Sequence, residues 1–364
     1  MLDLANQCKN MNCFAYVSTA YSNCHNMEIE EKFYPAPADL KMVEDMIEAD
    51  LVTEGLSEAS LKMLLDPFPN IYTFTKATAE SLVRNYCANA KFAALVFRPS
   101  IVISTVREPI PGWSGKLNGP MAGYAATSAG IVHSMWYKGN PIDFVPVDMS
   151  VNGILAAIWD TTENRKSNEA VVYNYATSTV QPITLRRLKV IIDPIRDATP
   201  TKKMVWACFV FFINNYYVWQ FSNIFLHLIP AILVDLILSV QGRKPFVVSS
   251  YFKVNKYYNV IYYFWNREWK ISVKEMSKTW DQMSPVDREL FYCDLRDLDW
   301  SEWSTNFWPG LRVHSLKDPL DTVPAAKIKQ RKLKIVNYVL MGILMLLIYY
   351  GLQKLLGSFI SIFY

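Results

Sequence analysis

The stretch Phe14-Ala15-Tyr16-Val17-Ser18-Thr19-Ala20-Tyr21 reads as a short apolar strand that ends in two adjacent hydroxyl residues. Roughly fifty residues later, Asn70-Ile71-Tyr72-Thr73-Phe74-Thr75-Lys76-Ala77-Thr78-Ala79-Glu80 opens a helix expected over about 70–88. Tyr72 and Lys76 are four apart, so they share one helix face a turn apart. A free phenol titrates near 10 and is a poor proton donor or acceptor at neutral pH. A neighbouring ammonium favours the phenolate and makes the phenol usable. A strand-end hydroxyl, Ser18 or Thr19, can polarise a carbonyl while Tyr72 supplies a proton.

Tyr-x-x-x-Lys alone is a weak signal, because Tyr350 and Lys354 repeat it inside the apolar tail. Context separates the two. A hydroxyl-ended strand precedes Tyr72, and the apolar run Phe92–Phe97 followed by Arg98-Pro99-Ser100 comes after Lys76.

Outward from this pair, apolar and polar stretches alternate as strand and helix. Residues 12–18 are expected as a strand, 38–49 and 56–66 as helices ended by Pro67 and Pro69, and 107–120 as a Pro- and Gly-rich loop. A helix over 121–137, a strand over 142–146, a helix over 148–161 and a strand over 170–176 follow. This rhythm predicts an α/β fold with a parallel sheet and crossover helices.

The pattern changes after about residue 196. Met204 to Val240 is aromatic and apolar but broken by Asn214-Asn215, Pro230 and Asp235. It reads as an interfacial, tunnel-lining or core segment rather than a clean span. Residues 254–309 look helical and hold many Trp and Tyr. The basic run Lys327 to Lys334 then precedes Ile335–Leu352, an apolar run long enough for a bilayer core. With cations mostly on its N-terminal side, the large domain is expected on the cytosolic face. The expected organisation is 1–195, a Rossmann-type reductase domain; 196–326, a helical domain; and 327–364, a basic flank and transmembrane helix.

Composition excludes some classes. Of 364 residues, 51% are hydrophobic and 19% charged, which favours membrane contact. A net charge of +4 does not argue for nucleic acid. Six cysteines without C-x-x-C and four scattered histidines suggest reduced, mostly buried thiols and no metal site. Met1-Leu2-Asp3-Leu4 lacks the features of a secretory signal.

The segments V-S-T-A-Y-S-N-C, P-N-I-Y-T-F-T-K-A-T-A-E, F-R-P-S-I-V, E-P-I-P-G-W, N-G-P and V-P-V-D-M-S-V-N resemble, in order and spacing, the alcohol-forming fatty acyl-CoA reductases of the extended short-chain dehydrogenase/reductase superfamily. D-L-R-D-L-D-W, G-L-R and L-K-D look like that family's C-terminal domain, and the aromatic style is insect-like. The resemblance implies NADPH-dependent reduction of a long-chain acyl-CoA to a primary alcohol through an aldehyde. It assigns proton delivery to Thr19 (preferred) or Ser18, Tyr72 and Lys76, and places Tyr72, Lys76, Pro99 and Ser100 against the nicotinamide. The implied partners are the acyl-CoA, membrane lipid and a second copy in a homodimer. The implied location is the endoplasmic reticulum or peroxisome membrane.

One departure stands out. The family's Gly-x-x-Gly-x-x-Gly phosphate loop is not found, and the first glycine is Gly55. The expectation is that the N-terminal dinucleotide-binding part of a full-length member lies outside this sequence. The competing readings are a truncated, inactive membrane-bound binding protein, or another extended reductase such as a sterol dehydrogenase or sugar-nucleotide epimerase.

Overall fold

Every residue of Ala93–Pro99 is buried, which marks a central strand covered on both faces. It pairs in parallel with Cys13–Val17 on one side and Ala170–Tyr175 on the other. The computed structural model describes residues 1–363 apart from 53, 54, 56, 118 and 167, and only the backbone of 348 and 355–363. Asn118 of the Asn-Gly-Pro motif, Leu56 at the start of the second expected helix, and Tyr364 therefore lie outside the described residues.

Helices cover both faces of the three strands. Ile71–Cys87 sets Val83 and Cys87 against Ala94, Val96 and Val172. Val147–Asn164 packs on the opposite face, where a Cβ at Gly153 would stand 3.2 Å from the Tyr175 ring and 3.4 Å from Phe97. A larger residue there would push helix from sheet. Crossover helices on both faces of parallel strands make this a Rossmann-type α/β layer. Three separate two-stranded parallel pairs accompany it: Ile101–Ile103 with Phe144–Pro146, Glu28–Ile29 with Lys270–Ile271, and Ser134–Trp136 with Phe211–Ile213.

The expected helix over 121–137 is corrected. It runs Gly119–Ser128, and Ser134–Trp136 is a strand. Gly130 turns the chain at φ +70°, and a Cβ there would stand 2.3 Å from the Trp206 carbonyl oxygen. The 204–213 segment thus packs where a continued helix would run. The helical stretch after 254 is also divided: Val247–Trp265, Lys274–Gln282, Pro285–Leu290 and Trp300–Gly310 are helices, with the short Lys270–Ile271 strand among them.

The largest core crosses residue 196 without a break. Phe97, Phe144 and Tyr175 share it with Trp280, Trp303 and Phe307. Two apolar helices stand largely outside it: Tyr216–Val240, and Val323–Phe363 with its exposed run. The basic flank of the latter is docked rather than free. Lys334 meets Asp197 at 3.1 Å, Lys329 donates to the Lys202 carbonyl at 2.9 Å, and Trp206 Nε1 donates to Asn337 Oδ1 at 2.9 Å. The one strongly polar residue of the apolar run is thereby satisfied.

Candidate functional site

Parallel α/β sheets bind ligands beyond the carboxyl ends of their strands. Ser18 and Thr19 follow directly on the Cys13–Val17 strand. The Ser18 amide donates to the Phe97 carbonyl at 2.8 Å and the Ala20 amide to the Pro99 carbonyl at 2.9 Å, so both strand ends stay zipped past Val17. Ser100 extends the same edge, its amide donating to the Tyr175 carbonyl at 2.9 Å. Ser18, Thr19, Pro99 and Ser100 therefore meet at one sheet end.

The Tyr72 helix starts because Asn70 Oδ1 caps it, accepting from the Thr73 amide at 3.0 Å. Lys76, one turn on, reaches the sheet and donates to the Val17 carbonyl at 2.8 Å. Its ammonium lies 5.2 Å from the Tyr16 ring centroid and 5.9 Å from that of Tyr72. Burial, then Glu80, then Tyr72 push the Tyr16 phenol up to about 12, so it stays protonated beside the site. Tyr72 itself is 55% exposed, open to an incoming ligand. Among the described residues no hydrogen bond joins Tyr72 to Thr19. The fold brings Lys76 to the strand end and leaves Tyr72 facing outward one turn away.

Ser18 and Thr19 differ in what holds them. Ser18 Oγ donates to Glu80 Oε1 at 2.5 Å. Glu80 is itself clamped by Arg98, whose Nε meets Oε1 at 2.9 Å and whose Nη2 meets Oε2 at 2.6 Å. Thr19 Oγ1 accepts from the Tyr21 amide at 3.3 Å, and among the described residues it has no acceptor for its own proton. Tyr21 in turn packs edge-on against Phe264 and Trp269, at 5.1 and 5.3 Å.

Glu80 and Arg98 were not singled out from sequence, although signals were present. Glu80 lies eight residues past Tyr72, on the face carrying Lys76. Arg98 is a lone charge in a fully buried strand, which demands a partner. Arg98 also donates to the carbonyls of Glu30 and Lys32 at 3.3 and 3.1 Å, closing the outer loop over the pair. Asp148 was likewise missed. Its carboxylate accepts from the amides of Val106, Arg107 and Glu108 at 2.8–3.1 Å and holds the start of the 107–120 loop.

The six cysteines are free thiols, with Cys8 exposed and Cys13 and Cys208 half-buried rather than fully covered. Burial raises Cys13, Cys24 and Cys208 to about 11 and Cys293 to about 12, so none of these four is a ready nucleophile. No group of three His, Cys, Asp or Glu capable of holding a metal occurs among the described residues.

A parallel sheet wound on both faces, with Tyr-x-x-x-Lys set against a strand-end hydroxyl, defines the nicotinamide-dependent reductases of the short-chain dehydrogenase type. Family models described as male sterility protein match residues 1–154, for the NAD-binding part, and 226–318, for the sterile part. Fatty acyl-CoA reductase 1 of Rattus norvegicus is 32% identical over 95% of this chain and 66% of its own length. Fatty acyl-CoA reductase wat of Drosophila melanogaster is 31% identical over 99% of this chain and 69% of its own length. Among solved structures, the terminal R domain from the myxalamid PKS-NRPS biosynthetic pathway is 14% identical, covering 84% of this chain and 60% of its own, with a TM-score of 0.47. The chain belongs to the fatty acyl-CoA reductase family. It spans about two thirds of the length of the curated relatives it matches.

Proposed function

We propose that this chain acts in the reduction of long-chain acyl-CoA thioesters to primary alcohols, with NADPH as the reductant. The observation that carries the reading is the seating of Lys76 on the Val17 carbonyl, beside the Ser18–Thr19 strand end, with Tyr72 exposed one turn away. The residues present suit the reactive half of a nicotinamide dinucleotide. Lys76 uses one of its three donors on Val17 and has two left for ribose hydroxyls. Tyr72 is exposed beside it, and Pro99 and Ser100 border the same edge. When bound, one dinucleotide would supply hydride to the thioester carbonyl, the C–S bond then breaking to release CoA as its thiol and leave the aldehyde, and a second would supply hydride to that aldehyde.

The chain's own groups handle the proton. Thr19 Oγ donates to the substrate carbonyl oxygen and polarises it. Tyr72 Oη gives its proton to that oxygen as negative charge develops there. Lys76 places a fixed positive charge where negative charge then grows on the phenol oxygen. Ser18 takes a supporting part, because its proton is committed to Glu80. Residues 196–326, with the Asp148-tethered loop, shape the acyl and CoA side, and residues 327–364 anchor the cytosol-facing domain to an endoplasmic reticulum or peroxisome membrane. A homodimer belongs to the same reading.

The test is turnover of palmitoyl-CoA and NADPH by the protein in detergent, with alcohol measured by mass spectrometry. Two NADPH oxidised per alcohol formed is the expected stoichiometry. Tyr72→Phe should lower turnover by roughly 10²–10⁴-fold while NADPH fluorescence titration changes little. Undiminished turnover in Tyr72→Phe removes the proton-donor assignment. An absence of net NADPH oxidation together with an epimerised sugar product would replace the reductase reading with the epimerase one.

A further inference from the structure

Residues Tyr216–Val240 and Val247–Trp265 fold back on each other as a helical hairpin. Its base belongs to the folded domain: Trp219, Tyr262 and Trp265 are buried in the main core, and Trp136 packs on both Trp219 and Tyr262. Its outer half does not. Leu233, Leu236, Ile237 and Val240 on the first helix, and Phe246 and Phe252 on the second, are exposed, Leu236 at 57% and Val240 at 89%. A cluster of this kind marks an interaction surface rather than scattered surface apolars.

The outer half is nonetheless fully capped. Asp235 Oδ1 accepts from the amides of Phe246 and Val247, and Oδ2 from that of Val248, all at 2.9 Å. The carboxylate that breaks the apolar run in sequence thus closes the N-terminus of the facing helix. At the turn, Gly242 adopts φ +70°, its amide donates to the Ser239 carbonyl at 3.0 Å and the Arg243 amide to that of Leu238 at 2.8 Å. The hairpin therefore holds its shape with its apolar residues facing out.

Charge identifies what covers it. Arg243 and Lys244 sit at the tip, and Lys253 and Lys256 are exposed on the second helix. Between Asp235 and Glu268 the sequence holds no acidic residue. Apart from Asp235, whose carboxylate is taken up by the Phe246, Val247 and Val248 amides, the charges among these apolar side chains are cationic, which suits an anionic lipid surface. Two lysines in the outer half of Val247–Trp265 make it unsuited to crossing a bilayer. The segment that leads into the hairpin also touches the C-terminal helix. Trp206 donates to Asn337 at the start of that helix's apolar run, and the Phe211–Ile213 strand next to it leads into the hairpin.

We propose that this hairpin is a second membrane attachment, lying in the interface of an anionic bilayer. Leu233, Leu236, Ile237 and Val240 enter the acyl boundary while Arg243, Lys244, Lys253 and Lys256 meet lipid phosphates. The proposal stands apart from the reductase reading, and its readouts do not involve turnover.

The full chain is reconstituted into sealed vesicles of phosphatidylcholine and phosphatidylserine that carry a phospholipid with a photoactivatable diazirine in its acyl chain. Adducts are mapped by mass spectrometry. Adducts on 229–240 as well as on 338–352 are expected; adducts on 338–352 alone would overturn the proposal and assign the face to a protein partner. In a Gln241→Cys variant, a membrane-impermeant maleimide should label the thiol at position 241 to the same extent as the exposed domain thiol Cys8. Protection of position 241 until detergent is added, with Cys8 reactive throughout, would mean a transmembrane hairpin instead. Reversing Arg243 and Lys244 together to Glu should lower the 229–240 adduct yield, relative to 338–352, by about fivefold or more. An unchanged ratio would overturn the phosphate contacts.

Discussion

Two carboxylates in apolar surroundings are stabilised here by opposite means. Glu80 is held at the sheet end by Arg98 and Ser18, 18 and 62 residues away in sequence. Asp235 is held in the hairpin by three backbone amides 11 to 13 residues away. The first arrangement ties a strand end, a helix, the central strand and, through Arg98, the loop at Glu30–Lys32 into one unit. It therefore fixes where Thr19 and Lys76 stand. The second closes a turn and nothing more, so the hairpin keeps its shape while its outer faces stay uncovered. Long-range satisfaction builds a site in this molecule, and local satisfaction builds a surface.

The contrast is broken most directly at Arg98. Arg98→Met keeps much of the volume but leaves the Glu80 carboxylate buried without its cation; Arg98 is 0% exposed and Glu80 nearly so. The expected loss is about 3–5 kcal/mol of unfolding free energy, read as a lower denaturant midpoint in detergent. Adding Glu80→Gln to Arg98→Met removes the stranded charge and should recover a large part of that loss. If the double variant is no better than the single, Arg98 stabilises by packing and its carbonyl bonds rather than by the ion pair.

Glu31 sharpens the comparison, because it is a domain carboxylate with long-range partners and, among the described residues, no cation paired with it. It accepts from the amides of Asn174 and Glu275 and from Ser272 Oγ at 3.1–3.4 Å. Burial outweighs those bonds and pushes its carboxyl up to about 7 from 4.5. A folded-state value above the unfolded one means the native state holds the extra proton. Its stabilisation is complete below about pH 4.5 and is lost as pH rises through about 7, by up to ~3 kcal/mol. Relative to Glu31→Gln, the urea midpoint of the native protein should fall with rising pH across that window, whereas His25 and His133, lowered by burial, act in the opposite sense in both proteins. A Glu31→Gln protein with an unaltered slope would place the dependence on other groups.

These cases also show what the sequence made legible. The Tyr72–Lys76 pair and the hydroxyl strand end are local patterns with fixed spacing, and the alternation of strand and helix follows from periodicity, so both could be read directly. The different surroundings of Ser18 and Thr19 come from Glu80, which bonds Ser18 and whose approach depends on how a helix crosses a sheet. The overlong helix at 121–137 failed for a similar reason. Gly130 looks like one more residue of an apolar run until the Trp206 carbonyl stands against it. Asp235 was read as an interruption because the amides that satisfy it belong to the next helix. Lys329 and Lys334 read simply as part of a basic flank, and their contacts with Lys202 and Asp197 on the domain have no signal in the sequence. What periodicity leaves out in each case is the partner across space.

The smallest expected effect lies at Asp235 itself. Asp235→Ala removes a cap whose partners are exposed enough for water to replace it, so the loss should be smaller than that at Arg98. It should also stay local. Amide hydrogen exchange ought to quicken at Phe246, Val247 and Val248, with little change along Ala93–Pro99, because no hydrogen bond links Asp235 to the sheet among the described residues. Asp235→Asn keeps an acceptor oxygen and should lie between Ala and the native residue. Faster exchange reaching the central strand would show that hairpin and sheet unfold as one unit. The separation between a surface built locally and a site built at long range would then no longer hold.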